Sequence, residues 1–163
     1  IQFGCFRCPF TLKAQPTVEE ILYTYGEHIH FVYRDFPLPK HANSVVYSQA
    51  AECAKEQGGY WDYHKALFDN QGVLGLNDSL EKTQTELIQL ARVLHLETET
   101  FEECLLTNQT LEEVQIDFGD GLKAGVYGTP TFFINNRTIV GPKDFKDFEK
   151  IILDELEKAG VVP

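Results

Sequence analysis

Residues 5–11 read Cys5-Phe6-Arg7-Cys8-Pro9-Phe10-Thr11, and the reading of the chain turns on them. Ahead of them, Ile1-Gln2-Phe3 looks like the tail of a strand, which implies chain upstream. Behind them, Val18, Ile21, Leu22 and Tyr25 recur at helical spacing, so a helix is predicted over 9–25, with Gly26 as its stop. The two cysteines thus stand where a strand hands over to a helix. Pro9 suits the first helical position, where a missing N–H costs nothing. Cys8 then becomes the N-cap, and the N–H groups of Phe10 and Thr11 are expected to point at its sulfur. Free N–H groups and the helix dipole favour a thiolate there. A thiolate is the species that attacks disulfides. Arg7 is expected to add a positive charge acting in the same sense.

Working outward, Ile29, Phe31 and Tyr33 alternate with His30, Val32 and Arg34, which predicts a strand over 29–36. Pro37 and Pro39 break it. From about 42 to 126 the pattern is helical. Val46, Ala50, Cys53 and Gln57 share one face, and Gly58-Gly59 ends that helix. A short helix carries Trp61 and Phe68, both read as core, and a Gly-rich loop surrounds Gly72 and Gly75. Further helices are striped by Leu80, Leu87, Leu90, Ala91 and Leu94, then by Phe101, Cys104 and Leu105, then by Leu111, Val114, Phe118 and Leu122. The period returns to two at Thr131-Phe132-Phe133-Ile134. Asn135-Asn136 is a tight-turn signal, and Thr138-Ile139-Val140 completes a hairpin. Phe145, Phe148, Ile152 and Leu156 give a closing helix. The order is a β-α-β…β-β-α frame with a helical block inside it, an α/β fold.

The 163 residues suit one domain, and 43% hydrophobic content is enough for a sizeable core. No apolar run approaches the ~18 residues of a membrane helix, so no membrane span is expected. A net charge of −11 repels phosphate backbones and argues against nucleic-acid binding. The four cysteines are Cys5, Cys8, Cys53 and Cys104. Their even count permits two disulfides and an oxidising compartment; four buried free thiols in a reducing one is the competing reading. Cys53 and Cys104 each lie on an apolar helix face. They read either as small buried hydrophobes or as a structural disulfide. His28, His30, His41, His64 and His95 make no tight ligand cluster with Cys5 and Cys8, so no metal is expected, and His41 reads as a residue packing at a helix start.

The segment Gln2-Phe3-Gly4-Cys5-Phe6-Arg7-Cys8-Pro9-Phe10-Thr11 resembles the active-site motif of DsbA-like thiol–disulfide oxidoreductases. Phe36-Pro37-Leu38, His41, Ala51-Glu52-Cys53-Ala54, Glu56-Gln57-Gly58, Trp61, His64, Leu67-Phe68, Phe101-Glu102-Glu103-Cys104-Leu105 and Gly125-Val126-Tyr127-Gly128-Thr129-Pro130-Thr131-Phe132-Phe133-Ile134-Asn135 resemble that family as well, in the same order along nearly the whole chain. The resemblance implies a thioredoxin fold with an inserted all-helical subdomain. We expect the thioredoxin-like domain in 1–39 and 109–163, the insert in 40–108, and helix 108–126 bridging the two.

In thioredoxin-fold enzymes a proline often follows the attacking cysteine by eight positions, and counting back from Pro16 lands on Cys8. The resemblance therefore makes Cys8 the nucleophile. Two departures stand out: Thr11 occupies the family's resolving-cysteine position, and Cys5 occupies that of its aspartate. Cys5 is expected to resolve in place of residue 11. The alternative is a monothiol, glutathione-dependent transferase in which the Thr11 hydroxyl donates to the Cys8 thiolate; a non-catalytic binding module that keeps the groove is the third reading. Phe6, Arg7 and Phe10 are expected to decorate the site. The resemblance also implies a cis Thr129–Pro130 bond facing Cys8, with Thr129 and Pro130 holding the backbone of an extended substrate. No cofactor is required, because the cysteines carry the electrons. Implied partners are proteins bearing thiols or disulfides, and a redox partner that is a membrane oxidase or a small thiol. The implied location is outside the cytoplasm, in a periplasm or at a cell surface.

Overall fold

The computed structural model describes residues 1–73 and 79–161. These form strands β1 (Gln2–Gly4), β2 (Tyr33–Asp35), β3 (Thr131–Ile134) and β4 (Arg137–Val140). The helices are α1 (Pro9–Tyr25), α2 (Ser44–Lys55), α3 (Tyr60–Asp69), α4 (Leu80–Val93), α5 (Thr98–Leu106), α6 (Leu111–Lys123) and α7 (Phe145–Lys158). The sheet order is β2-β1-β3-β4. β1 runs parallel to β2 and antiparallel to β3, and β3 pairs with β4 as a hairpin. This is the thioredoxin frame expected from the sequence, with helices α2–α5 inserted.

The strand expected over 29–36 is confined to Tyr33–Asp35. Among the described residues its one strand partner is β1, and the paired register stops at Gln2↔Tyr33; ahead of it the Val32 carbonyl still accepts the Gln2 N–H at 2.8 Å, while residues 29–31 lie outside the pairing. The hairpin turn falls on Asn135-Asn136 as read, with Asn135 at φ 50°, a left-handed conformation asparagine tolerates. The loop around Gly75 lies outside the described residues.

Three apolar cores hold these elements together. Ala14, Val18, Ile21 and Tyr25 of α1 meet Phe132, Ile139 and Phe148, Ile152, Leu156 of α7 on one face of the sheet. Phe3, Phe36 and Val126, with Phe118 against them, fill the other face under α6. The third core is the helical block, built from Tyr47, Tyr63, Leu67, Phe68, Leu87, Ala91, Phe101 and Leu105. α6 touches both sides of this division: Phe118 stacks on Phe36, Arg34 of β2 pairs with Asp117 and Asp120, and the Thr110 hydroxyl donates to the Gln49 carbonyl of α2. Cys53 of α2 and Cys104 of α5 are joined by a disulfide, which settles the open reading of that pair. Trp61, expected in the core, is 52% exposed and leans its ring on Phe31 and Tyr60. Leu80 is likewise exposed at the first position of its helix.

Candidate active site

The site is assembled where β1 gives way to α1. A turn closes first: the Cys8 N–H donates to the Cys5 carbonyl at 2.9 Å. Cys8 then takes an extended conformation (φ −89°, ψ 119°) as the N-cap of α1, Pro9 follows inside the helix, and the Leu12 N–H donates back to the Cys8 carbonyl. Gly4 precedes this turn for a steric reason. A Cβ there would come within 2.4 Å of the Tyr33 hydroxyl oxygen, because the Tyr33 ring lies directly beneath the motif.

Cys8 is 2% exposed, while the next residue but one, Phe10, is 58% exposed. The Cys8 sulfur does not take the Phe10 and Thr11 N–H groups as expected; no side-chain capping bond forms. Its hydrogen bond runs instead to the Thr129 carbonyl, at 3.3 Å, with the thiol donating. The Thr129–Pro130 peptide is cis, and Thr129 and Pro130 are both buried against the sulfur's side of the site. Among the described residues the Thr129 hydroxyl has no hydrogen-bond partner. Tyr127, two residues before Thr129, is 88% exposed, so an exposed aromatic ring stands two residues from each member of the Cys8–Thr129 hydrogen bond.

The spacer between the cysteines behaves differently from the sequence reading. Phe6 does not decorate the site; it is buried in the helical core, with ring contacts to Tyr33, His64 and Phe68 at 5.1–5.3 Å. Arg7 is buried too, its Nη1 donating to the Tyr47 hydroxyl at 2.9 Å and its guanidinium lying 4.8 Å from that ring's centre. An aromatic face attracts a desolvated guanidinium, so this charge anchors α2 instead of standing over Cys8. Gln71, a residue not singled out from sequence, clamps the same loop: its Nε2 donates to the carbonyls of Phe6 (2.7 Å) and Cys8 (3.2 Å).

Cys5 and Cys8 are both free, buried thiols. The Thr11 hydroxyl accepts the Cys5 N–H at 3.4 Å. The Cys5 sulfur lies 3.4 Å from Nδ1 of His41. Burial pushes the Cys5 thiol up to about 11, against backbone N–H groups of Leu38 and Arg7 that favour its anion. The Cys8 and Asp35 charges push in the same direction as burial. His41 is held below the ordinary imidazole range, by burial first and then by the Lys40 and Arg7 charges. Asp35, at the end of β2, accepts the Ser48 hydroxyl at 2.6 Å, and burial raises it to about 8. Among the described residues no group of three or more His, Cys, Asp or Glu is arranged to hold a metal ion. No described helix is long and apolar enough to cross a membrane.

A sulfur at the mouth of the first helix, facing a cis-proline loop across a βαβ…ββα sheet, defines a protein of the thioredoxin-fold class. A family model described as "Thioredoxin" matches residues 1–154, and the chain belongs to that family. Its fold is the DsbA-like form of it. It superposes on BdbD from Bacillus subtilis with a TM-score of 0.80 at 22% identity, covering 96% of this chain and 85% of that one. A thioredoxin-like oxidoreductase from Silicibacter pomeroyi gives a TM-score of 0.78 at 22% identity, with 96% and 84% covered. Among curated proteins the chain is similar to the Na(+)/H(+) antiporter NhaA 3 of Salinispora tropica, 29% identical over 164 residues. That match takes in 100% of this chain and 24% of the antiporter, so the chain spans about a quarter of its relative's length.

Proposed function

We propose that this chain exchanges thiols and disulfides with protein substrates, with Cys8 as the attacking sulfur and Cys5 as its resolving partner. The observation that carries the reading is the Cys8 thiol at the N-cap of α1, 3.3 Å from the Thr129 carbonyl. An extended substrate laid against the Thr129 backbone would run past that sulfur as an added strand. The exposed rings of Phe10 and Tyr127 offer apolar contact to the residues flanking the substrate's own cysteine. Attack by the Cys8 thiolate on a substrate disulfide gives a mixed disulfide; Cys5 then attacks Cys8 and frees the substrate thiol. The reverse sequence oxidises a substrate.

The turn in which the Cys8 N–H donates to the Cys5 carbonyl keeps the two sulfur-bearing residues local, which favours Cys5 over an outside thiol as the resolving group. The Cys53–Cys104 disulfide supports work in an oxidising compartment outside the cytoplasm. There, a membrane oxidase or a small thiol would reset the Cys5–Cys8 pair. Insulin reduction is the direct test. Cys8→Ser should abolish it, and Cys5→Ser should trap the substrate as a mixed disulfide on Cys8. Wild-type turnover by Cys8→Ser would overturn the assignment.

A further inference from the structure

The His41–Cys5 contact is not explained by packing alone. The turn that carries His41 is built with care: the His41 N–H and the Ser44 hydroxyl both donate to the Leu38 carbonyl, at 2.9 and 3.0 Å, and this fixes the imidazole over the Cys5 sulfur. The Cys5 thiol is neutral at physiological pH and so carries a proton to donate across the 3.4 Å contact; with His41 protonated on Nε2, Nδ1 is free to accept it. The Leu38 and Arg7 backbone N–H groups face the same sulfur. A pocket for the Cys5 anion is thus already in place, lacking only somewhere for the proton to go.

We propose that His41 is a catalytic base and acid for Cys5. This rests on the reading of Cys5 as the resolving partner. In the resolving step the Cys5 proton moves to His41 Nδ1, and the sulfur's electron pair forms the Cys5–Cys8 bond. The Cys8–substrate bond breaks with its pair on the substrate sulfur, which leaves as a thiolate and is protonated from His41 or water. The two enzyme sulfurs are oxidised and the substrate disulfide is reduced. In reverse, His41 returns the proton to the departing Cys5. Other charged or titratable groups facing this pair are Cys8, Asp35, Tyr33, Lys40 and Arg7. None of these is hydrogen-bonded to the Cys5 sulfur through its side chain, whereas His41 is.

The test uses the full chain, reduced at Cys5 and Cys8, and Ellman's disulfide. The first thionitrobenzoate released reports attack by Cys8, and the second reports resolution by Cys5. His41→Ala should leave the first phase intact and slow the second about a hundredfold near neutral pH, the range of one lost acid–base group. The wild-type second phase should level off once the imidazole is neutral. In His41→Ala it should keep rising about tenfold per pH unit toward the thiol's own value of about 11. His41→Gln, which keeps the bulk without the base, should match His41→Ala, and added imidazole should restore part of the rate. A single equivalent from the wild type would refute resolution by Cys5 itself. Two equivalents, with His41→Ala and His41→Gln keeping the wild-type second phase, would overturn the role of His41 and leave Cys5 standing. A wild-type second phase that never levels off would do the same without any variant.

Discussion

The Cys53–Cys104 disulfide closes a loop with a sequence separation of 51 residues, and its removal is the perturbation with the most predictable size. In the chain-entropy model a loop of that length restrains the unfolded chain by roughly 4 kcal/mol at 25 °C. Both sulfurs are buried, at 1% and 5% exposure, so Cys53→Ala/Cys104→Ala also removes a little packed volume, about 1 kcal/mol more. Placed in a Cys5→Ser/Cys8→Ser background, the pair can be read alone. With a urea slope of about 2–3 kcal/mol per molar for a chain of this size, the unfolding midpoint should fall by roughly 2 M. Far-UV circular dichroism follows the whole chain, while fluorescence of Trp61, the one tryptophan, follows the block that the disulfide staples. Dithiothreitol should reproduce the shift in the parent. A loss below about 1 kcal/mol with an unchanged slope, or indifference to dithiothreitol, would refute the reasoning.

Gln71→Leu keeps the bulk but orphans the Phe6 carbonyl and removes one bond from that of Cys8; about 1–3 kcal/mol should be lost in the same urea assay. Asp35 keeps its proton in the fold up to about pH 8 but loses it near pH 4 when unfolded, so its contribution is present in acid and disappears as pH rises between those values. Asp35→Asn should therefore gain on the wild type as pH goes from 5 to 9, measured by midpoints at each pH. His64 is the opposite case. Burial among Phe6, Tyr33 and Phe68 lowers it to about 3, so its contribution is intact above the unfolded value near 6.5 and is lost as pH falls toward 3. His64→Phe should flatten that acid limb; an acid limb identical to wild type would contradict the burial argument.

The frame of the fold was legible because its signals are local. The 3.6-residue recurrence of Val18, Ile21 and Tyr25, the Asn135-Asn136 turn and the Pro9 helix start each act within a few residues, and each falls where the structure has it. What failed was direction. Nothing in a seven-residue string says which way a side chain turns when two cores compete for it. Phe6 and Arg7 look like site residues by position, yet the helical block needed an aromatic plug and a cation for Tyr47, and it took them. Trp61 failed similarly: a large apolar ring on a short helix reads as core until it proves to be half exposed. His41 was legible only as a helix-start residue. Its distance to Cys5 is set by a turn 36 residues away in sequence, which no spacing rule reaches.

Because both spacer residues between the thiols are plugged into the helical block, they are unavailable as a tuning dial. Variation there would be judged first as damage to folding. A lineage or a designer seeking a different potential from this scaffold has to work from its outer rim, through Phe10 and Tyr127, where change leaves the interior untouched.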